Sequence, residues 1–353
     1  MDFKQISADD FRQFANKSPY RSFMQTPEIA TYREHNGWTV YYFAVWQNQQ
    51  IIAASMVLAK PFFLGKSLFI APGGPLMDLE DNDLVQFFFT RLKSYAKTHN
   101  GFALQVSPYY ELVERDRNGE IVSDGFNHRR AENNLRRCGF RPSTHASQPR
   151  YLFALDIDHR SADELFAKFK RNTRNHIRKA EKNGVVVREL AKSELNIFKT
   201  ITESTSERRH FADRPLDYYE QMYDLFGERN EIKYIVAEAE IDGKNIPLSV
   251  AMFMLYGDEI VYLFSGSDQQ YMRDYNAQYL IQWRMIKFAS EHNFERYNFY
   301  GIQGLPSQNS NDYGIYDFKK GFGGHVIELI GTYEMPLGAL YHLRTLLSKL
   351  KHH

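Results

Sequence analysis

The feature that most constrains this chain is a supersecondary pattern that occurs twice. Each copy is a strand, a strand, a turn, a helix and a strand within about fifty residues. The copies share pattern rather than side-chain identity. Their segments are Ile51–Leu58, Ser67–Ala71, Asp83–His99 and Phe102–Val106 in the first copy, and Pro247–Met254, Ile260–Phe264, Ala277–His292 and Arg296–Phe299 in the second. This duplication predicts two domains of similar construction, which a chain of 353 residues can hold.

An antiparallel strand pair followed by a helix and a further strand is the core of the acetyltransferase-like (GNAT-type) α+β fold. We therefore predict two tandem domains of this type, each a mixed sheet flanked by helices. The polar stretch His145–Pro149 indicates the junction. Residues 1–147 then form the first domain, and residues 148–324 form the second.

The chain continues after the second domain. We predict a strand from Val326 to Tyr333 and a helix from Leu340 to Leu350. In a duplicated architecture this tail, residues 325–353, is expected to return to the first domain and complete it.

Acetyltransferases of this fold bind the pyrophosphate of coenzyme A on a glycine-rich loop at a helix N-terminus. The corresponding segments here are Met77–Asp83, which is acidic, and Asp268–Ala277, which is rich in tyrosine. Neither contains glycine. The sequence therefore favours an acyl donor other than coenzyme A.

Two adjacent lysines lie among aromatic residues and glycines in the segment Gly314–Gly324, which follows the glycine-containing strand exit Asn298–Gly304. A lysine beside apolar rings can hold a localised charge where water is scarce, which suits phosphate binding or oxyanion stabilisation. A tight turn with packed aromatics and solvated lysines explains the same residues equally well.

The densest basic segment is Lys168–Gly184. Its cations recur at helical spacing and predict a positive stripe on a helix that ends at Gly184. A stripe of this kind suits a nucleic-acid backbone or anionic lipid head groups, and a solvated helix face is the alternative. Its members are Lys170, Arg171, Arg174, Arg178 and Lys182.

A second basic site lies where a polar loop enters a helix at Pro215. Arg214 is placed at the start of that helix, where its guanidinium and backbone N–H groups could hold phosphate together. A surface ion pair between Arg214 and Asp217 is the alternative.

Bulk properties exclude several other classes. The net charge is +1, so the chain does not coat nucleic acid by overall charge, and no DNA partner is expected. The single cysteine, Cys138, forms no intrachain disulfide, which fits a reducing compartment. The sequence shows no metal-ligand spacing and no serine-hydrolase motif. It also shows no signal pattern and no spanning apolar run, so a cytoplasmic protein is expected, with peripheral membrane contact left open.

Five motifs in a fixed order make nearly the whole chain resemble the Fem (FemABX) family. Its members are non-ribosomal peptidyltransferases that use aminoacyl-tRNA to build peptidoglycan cross-bridges. The motifs are Ser22–Glu28 followed by Trp38, Lys170–Ala180, Arg214-Pro215 with Tyr218, Phe264–Ser267, and Tyr316–Phe322. The resemblance implies an aminoacyltransferase with aminoacyl-tRNA as donor, a peptidoglycan precursor as acceptor, and no cofactor.

Several family members carry a long coiled-coil arm in the second domain. The corresponding place here is Glu240–Asn245, which is too short for an arm, so the chain resembles the compact members. In the compact members the acceptor is a soluble UDP-linked muramyl pentapeptide, whereas other members act on its lipid-linked form. The resemblance leaves that choice open.

The resemblance also implies site residues. Lys319 and Phe318 match positions at the acceptor end of the tRNA, and we expect them at the reacting centre. Ser107 replaces an aspartate of the compact pattern, so no general base is assigned. The expected acceptor and diphosphate contacts are Arg33, His35, Arg214, Tyr218, Tyr262 and Ser107, and the expected tRNA or acceptor contacts are Lys170, Arg171, Arg174, Arg178 and Lys320.

The implied reaction is attack by the side-chain amine of the third stem-peptide residue, a lysine, on the aminoacyl ester. Lys319 is the residue chosen to stabilise the tetrahedral oxyanion. Three alternatives stay open: transfer from acyl-coenzyme A, transfer to a protein N-terminus, and a non-catalytic module that binds precursor or tRNA.

Overall fold

The structure is a computed structural model that describes residues 1–143, 145, 148–302, 304–305 and 313–341. The chain divides into two compact units. The first comprises Met1–Arg115, Ile121–Tyr151 and the described residues from Ile327 onward, and the second comprises Asp116–Glu120 and Leu152–Val326.

The helices and strands follow one another along the chain. They begin with β1 (Asp2–Gln5), α1 (Ala8–Lys17), α2 (Pro27–His35), β2 (Thr39–Gln47), β3 (Gln50–Pro61), β4 (Ser67–Gly73), α3 (Asn82–Thr98), β5 (Gly101–Pro108), β6 (Glu111–Glu114), α4 (Arg129–Arg137) and β7 (Arg141–Pro142). They continue with β8 (Tyr151–Asp156), α5 (Ala162–Lys168), α6 (Arg171–Lys182), β9 (Val186–Glu189), α7 (Leu195–Arg209), α8 (Leu216–Gly227), β10 (Ile232–Ile241), β11 (Lys244–Tyr256), β12 (Glu259–Ser267), α9 (Met272–Tyr275), α10 (Ala277–Glu291), β13 (Arg296–Ile302), α11 (Tyr313–Lys320), β14 (His325–Leu329) and β15 (Tyr333–Pro336).

The described residues of the first unit form a seven-stranded sheet in the order β1-β2-β3-β4-β5-β15-β7. Strands β3 and β4 are antiparallel, whereas β4 and β5 are parallel and joined through α3. Buried side chains of α3, among them Phe88, Phe89 and Leu92, pack on the sheet in one apolar core. This burial stabilises α3, because most of the stability of a helix in a folded protein comes from packing of its apolar face.

The motif that begins at Ser22 positions one end of this sheet. Gln25 is fully buried, and its amide donates to the carbonyl oxygens of Met56 (3.1 Å) and Pro72 (2.7 Å). Its oxygen accepts from the N–H of Met56 at 2.8 Å. A Cβ at Gly74 would lie 2.6 Å from the Gln25 amide carbon, so glycine is required where the chain leaves β4.

The second unit repeats the same construction. Its strands lie in the order β8-β13-β12-β11-β10-β9, with β11 antiparallel to β12 and β12 parallel to β13 through α10. The predicted duplication and the mixed-sheet α+β fold class are therefore confirmed. Strands β10 and β11 close in a hairpin whose last pair is Ile241 and Lys244. No coiled-coil arm leaves this turn, as the described residues on both of its sides are paired.

One predicted element of the tail is wrong. The expected strand Val326–Tyr333 is two strands, β14 and β15, because Gly331 between them has a φ of +86° that extended strands do not adopt. The helix expected from Leu340 to Leu350 lies outside the described residues beyond Tyr341. Two residues of the expected junction, Ala146 and Ser147, also lie outside them.

Candidate active site

The two copies of the repeated unit differ where their parallel strands run side by side. In the first unit, β4 and β5 are paired from Ser67 to Gly73. In the second unit the described pairing of β12 with β13 covers Glu259–Val261 alone, although β12 continues to Ser267 and β13 to Ile302. The described ladder between these two parallel strands is therefore shorter than the one in the first unit, and we call the stretch beyond Val261 and Asn298 the opening between β12 and β13.

Lys319 lies at this opening. Its side chain leaves α11, is 5% exposed, and donates through Nζ to the carbonyl oxygens of Gly301 (2.7 Å) and Tyr300 (3.3 Å) on β13. Within the part of the chain that the structure describes, no carboxylate forms an ion pair with it. Burial lowers the pKa of Lys319 to about 7, because a low-dielectric surrounding disfavours the ammonium form. An ammonium here lacks a counter-charge and would be stabilised by an incoming anion.

The backbone of β13 is shaped for this contact. Tyr300 has a φ of +63°, an uncommon conformation for a residue with a side chain. Asn298 supports it, because its Oδ1 accepts from the Tyr300 N–H at 2.7 Å. Strained backbone of this kind clusters at functional sites, and here it accompanies the carbonyl pair that holds Lys319.

The helix that carries Lys319 is fixed against α6. Lys170, the N-cap residue of α6, forms an ion pair with Asp317 (2.7 Å), and its N–H donates to the Gly321 carbonyl at 2.8 Å. A Cβ at Gly321 would lie 2.4 Å from Thr173 Oγ1. Glycine at position 321 therefore allows α11 to approach α6 closely, which explains part of the Gly314–Gly324 cluster.

Phe318 packs beside this contact. Its ring lies edge-on to Tyr279 at 4.8 Å and to Phe322 at 5.4 Å, and Tyr279 in turn contacts the His176 ring at 4.6 Å. Rings from α6, α10 and α11 thus form one cluster next to Lys319. Phe318 is partly exposed, so one side of its ring is available to a ligand.

Lys320, at the end of α11, lies near two cations from other segments, Arg117 and Lys170. Its Nζ donates to Asn118 Oδ1 at 2.6 Å, and the guanidinium of Arg117 donates to the Lys320 carbonyl at 3.3 Å. Burial, together with the charges of Lys170 and Arg117, lowers the pKa of Lys320. Arg117 could not be predicted from the sequence, because nothing in its local pattern indicates that it reaches α11.

The basic segment forms a helix as predicted, but its cations differ in their surroundings. Arg174 donates to the carbonyl oxygens of Ala167 (2.6 Å) and Phe169 (2.8 Å) and so caps the end of α5. Arg171 is exposed, and Arg178 is exposed with its guanidinium over the Phe166 ring at 5.5 Å. Arg171 and Arg178 are consequently available to a polyanion, whereas Arg174 has a structural role.

Arg214 and Tyr218 are held as a pair at the start of α8. The Arg214 guanidinium lies 5.4 Å from the centre of the Tyr218 ring, and Arg214 is exposed. No Arg214–Asp217 ion pair occurs in the described structure; Asp217 accepts instead from Gln221 at 2.6 Å. The exposed guanidinium on an aromatic face suits a phosphate or diphosphate.

Asp213 fixes the loop that presents Arg214. Its carboxylate accepts from Lys199 (2.9 Å), Thr202 (2.9 Å) and Tyr219 (2.7 Å). Burial alone would raise the pKa of Asp213. The hydrogen bonds from Lys199, Tyr219, Thr202 and the backbone N–H of Arg214 outweigh this effect, so the pKa of Asp213 is lowered. Asp213 was not among the predicted site residues, although its position directly before the Arg214-Pro215 pair is a signal in the sequence.

Tyr262 lies on β12 just beyond the last residue paired with β13. Its hydroxyl donates to Ser265 Oγ and accepts from Gln278 Nε2 at 3.0 Å. Burial raises the pKa of Tyr262 to about 12, so the hydroxyl is neutral at physiological pH. It can position a ligand by hydrogen bonding but is not a base.

The other predicted acceptor residues belong to the first unit. The Arg33 guanidinium stacks 4.8 Å from the Trp38 ring centre, and His35 is exposed at the end of α2. Ser107 is buried on β5, with its Oγ 3.0 Å from Thr332 Oγ1. Arg33 and His35 thus present basic groups near Trp38, and Ser107 has a hydroxyl partner inside the unit.

The start of α3 in the first copy of the repeat does not suit a pyrophosphate. The N–H groups of Asp83 and Leu84 at the start of α3 are bound by the Asp81 carboxylate, which would repel a phosphate. The described residues contain no cluster of metal-ligating side chains. Among the same residues, no helix has the length and apolarity to cross a bilayer.

The two repeated units define a protein of tandem GNAT-type fold, and comparison with solved structures agrees. Among solved structures, the crystal structure of FemX has a TM-score of 0.84 at 22% identity, covering 97% of this chain and 99% of that one. A tandem GNAT protein from the clavulanic acid biosynthesis pathway has a TM-score of 0.57 at 10% identity, covering 96% and 98%. At these identities the likeness concerns the fold.

The FemAB family matches residues 6–243 and 229–349, so the chain belongs to the FemAB family. The aminoacyltransferase FemA of Staphylococcus aureus (strain MRSA252) is 27% identical over 417 aligned positions, covering 99% of both chains. The predicted family and the predicted enzyme class, an aminoacyltransferase, are confirmed. The alignment is longer than this 353-residue chain, so the relative contains insertions. The two family matches overlap over residues 229–243, which contain β10 and end at the β10–β11 turn, where the arm was predicted to be absent.

Proposed function

We propose that the protein transfers an amino acid from aminoacyl-tRNA to the side-chain amine of the third stem-peptide residue, a lysine, of a peptidoglycan precursor. The acceptor is the UDP-linked or the lipid-linked muramyl pentapeptide, and the product contains an interpeptide bridge. Family membership supports the donor and acceptor classes. The observation that carries the proposal is the buried Lys319 at the opening between β12 and β13.

In the proposed reaction the acceptor amine attacks the carbonyl carbon of the aminoacyl ester. A C–N bond forms, the ester C–O bond breaks, and the ribose hydroxyl of the tRNA leaves with a proton that the attacking amine has lost. The ester is more reactive than the amide, so no ATP is required. The protein aligns the two substrates and stabilises the tetrahedral oxyanion.

Lys319 is placed to stabilise that oxyanion. With a pKa of about 7 it is roughly half protonated at neutral pH. Its Nζ is held by the carbonyl oxygens of Tyr300 and Gly301, which are neutral acceptors that an oxyanion can outcompete. The developing negative charge would raise the pKa of Lys319 and favour the ammonium form during the step that needs it. Phe318 would shape the adjoining pocket for the aminoacyl ribose.

Around this centre the other groups take roles that fit their exposure. Cations on α6 and α11 would bind phosphates of the tRNA acceptor end; they are Lys170, Arg171, Arg178 and Lys320, with Arg174 acting through the end of α5. Arg214 and Tyr218, with Tyr262, would hold the diphosphate and acceptor on the second unit. Arg33, His35 and Ser107 are the corresponding candidates on the first. Because charged tRNA is cytoplasmic, we place the reaction there.

The deciding experiment offers the purified protein a mixed pool of charged tRNA with the soluble or the lipid-linked precursor, and identifies products by mass spectrometry. Lys319→Met is compared with Lys287→Met, which removes a partly exposed lysine on α10. We expect Lys319→Met to lower kcat by about 100-fold or more with little change in KM for the acceptor, and Lys287→Met to behave as wild type. Equal turnover in the two variants would refute the role of Lys319.

The same experiment separates the other functions. Transfer without tRNA but with acetyl-coenzyme A would indicate an acetyltransferase, and labelled protein N-termini would indicate a different acceptor. Binding of tRNA and precursor with no product from any charged pool would indicate a binding module.

A further inference from the structure

The turn between β3 and β4 exposes three consecutive large apolar side chains. Phe62, Phe63 and Leu64 are 45%, 66% and 76% exposed. Leu64 has a φ of +57° and is followed by Gly65 at +65°, so the backbone turns sharply and directs these side chains outward. Single exposed apolar residues are ordinary, but no other described segment places three in a row. We call Phe62–Gly65 the β3–β4 tip.

The tip lies at one end of the first unit's sheet, and the pairing register shows what surrounds it. Ala59 pairs with Thr39, Pro61 pairs with Ser67, and Ser67 pairs with Gly101. The starts of β2 and β5, and therefore the ends of α2 and α3 that lead into them, are at the same end as the tip.

That end is basic. We count the charged residues that lead into β2 and β5 and those beside the tip. They include four lysine or arginine side chains and two histidines, but only one acidic residue, Glu34. The basic side chains are Arg33, His35, Lys60, Lys66, Lys97 and His99; we call them the basic end. Lys66 directly follows the tip, and Lys60 precedes it with Pro61 between them. Trp38 lies between them and α2, with the ammonium of Lys60 5.2 Å from its ring centre.

We propose that the β3–β4 tip and the basic end dock the first unit on an anionic lipid membrane. Apolar side chains at the extremity insert between lipids, and flanking lysines reach the head groups, which is the arrangement of interfacial anchors. A half-buried tryptophan at the boundary fits the interface between head groups and acyl chains. An RNA backbone would use the cations but gives three aliphatic and aromatic side chains no apolar partner, so the combination favours lipid.

Membrane docking would bring the first unit to a lipid-linked acceptor. This consequence rests on the proposed function, whereas the docking itself does not. Arg33 and His35, candidates for the acceptor diphosphate, belong to the basic end, so a precursor whose diphosphate lies at the membrane surface would meet them there.

The test is co-flotation of the full-length protein with vesicles that contain no precursor. Vesicles of phosphatidylcholine alone are compared with vesicles containing phosphatidylglycerol. The tip variant is Phe63→Ser with Leu64→Ser, and the charge variant is Lys60→Gln with Lys66→Gln. The matched control is Val186→Ser with Met272→Ser, which removes two exposed apolar side chains from the second unit. Thermal unfolding of each variant checks that it folds.

We expect the wild type to bind the anionic vesicles. The tip variant should bind them about tenfold or more weakly, because binding scales with inserted apolar area. The charge variant should lose the preference for anionic over neutral vesicles to a similar extent. The control should bind as wild type. Absence of vesicle binding, or equal binding by the tip variant and the control, would overturn the proposal. Binding of RNA that depends on the same tip residues would overturn the lipid assignment.

A second measurement does not depend on removing the tip. Leu64→Cys in a Cys138→Ser background is labelled with a fluorophore that reports polarity, and Val186→Cys serves as its control. Anionic vesicles should shift emission of the Leu64 label to the blue and leave the Val186 label unchanged; unchanged emission at both positions would refute insertion. Activity on the soluble precursor should be unaffected by the tip variant. An inactive protein that still binds vesicles would therefore count against the proposed reaction and not against docking.

Discussion

Replacing Lys319 with Met tests whether the folded protein holds its buried amine at an energetic cost. Burial lowers the pKa of Lys319 from 10.5 to about 7. The unfolded chain therefore binds the proton more tightly than the folded chain does. Below about pH 7 Lys319 is charged in both the folded and the unfolded state, so the free-energy cost of burying its charge lowers the stability of the folded protein in full. As pH rises from 7 toward 10.5 the folded state alone loses the proton, so the free energy of unfolding rises.

The magnitude follows from the pKa difference. One pKa unit corresponds to about 1.4 kcal/mol, so the wild type should gain about 2–3 kcal/mol of unfolding free energy between about pH 6 and pH 9 through Lys319. Methionine removes this dependence. It also leaves the carbonyl oxygens of Tyr300 and Gly301 without their donor, which costs about 1–3 kcal/mol for each at either pH. The variant should then be close to wild type in stability at pH 6 and clearly less stable at pH 9.

The assay is urea denaturation of the wild type, Lys319→Met and the control Lys287→Met at about pH 6, 7.5 and 9. Titration of all other groups is common to the three proteins and cancels in the differences. The difference between wild type and Lys319→Met should grow by about 2–3 kcal/mol over this range, while Lys287→Met shows no such trend. A constant difference for Lys319→Met would mean that the lysine keeps an ordinary pKa and would refute the argument.

Five further substitutions have distinct expected outcomes. Gly321→Ala places a Cβ 2.4 Å from Thr173 Oγ1, so we expect a loss of about 1–3 kcal/mol in urea denaturation and a lower kcat; an unchanged kcat would show that the α6–α11 contact is unimportant for the reaction. Asp213→Ala should raise KM for the precursor several-fold with less effect on kcat. Asp213→Asn should raise KM less than Asp213→Ala does. A loss of kcat with no change in KM would contradict a role of Asp213 in positioning Arg214. Arg174→Ala should lower the free energy of unfolding by about 1–3 kcal/mol, because it removes the cap of α5. Arg171→Ala should change the free energy of unfolding by no more than about 0.5 kcal/mol and should weaken tRNA binding, with a shallower salt dependence. The reverse result would exchange the roles of the two arginines.

Much of the fold followed from the sequence because the repeat is encoded locally. The helix expected from Ala277 to His292 is observed over Ala277–Glu291, and the one expected from Asp83 to His99 over Asn82–Thr98. Helical spacing of apolar residues determines both. The strand expected over Val326–Tyr333 failed at Gly331, since a pattern of apolar residues does not reveal one residue whose backbone must turn.

The site followed less completely because its decisive features depend on contacts between distant segments. The sequence indicated Lys319 through its aromatic and glycine neighbours, but it could not show that Nζ reaches the backbone of β13. It also grouped Arg174 with Arg171 and Arg178 by spacing. Helical spacing places side chains on a face and does not reveal that the end of α5 supplies Arg174 with two carbonyl acceptors.

The opening between β12 and β13 and the burial of Lys319 explain each other. Where two strands separate, backbone carbonyls lose neighbours and need donors, because an unsatisfied buried carbonyl is costly. The amine of Lys319 supplies donors to Tyr300 and Gly301, and the low-polarity surroundings that make it an effective donor also lower its pKa. In the first unit the complete β4–β5 ladder creates no such need. An acyl carbonyl entering the opening would meet a donor that has only two neutral carbonyl oxygens as acceptors, which is why the chemistry is expected in the second copy of the repeat.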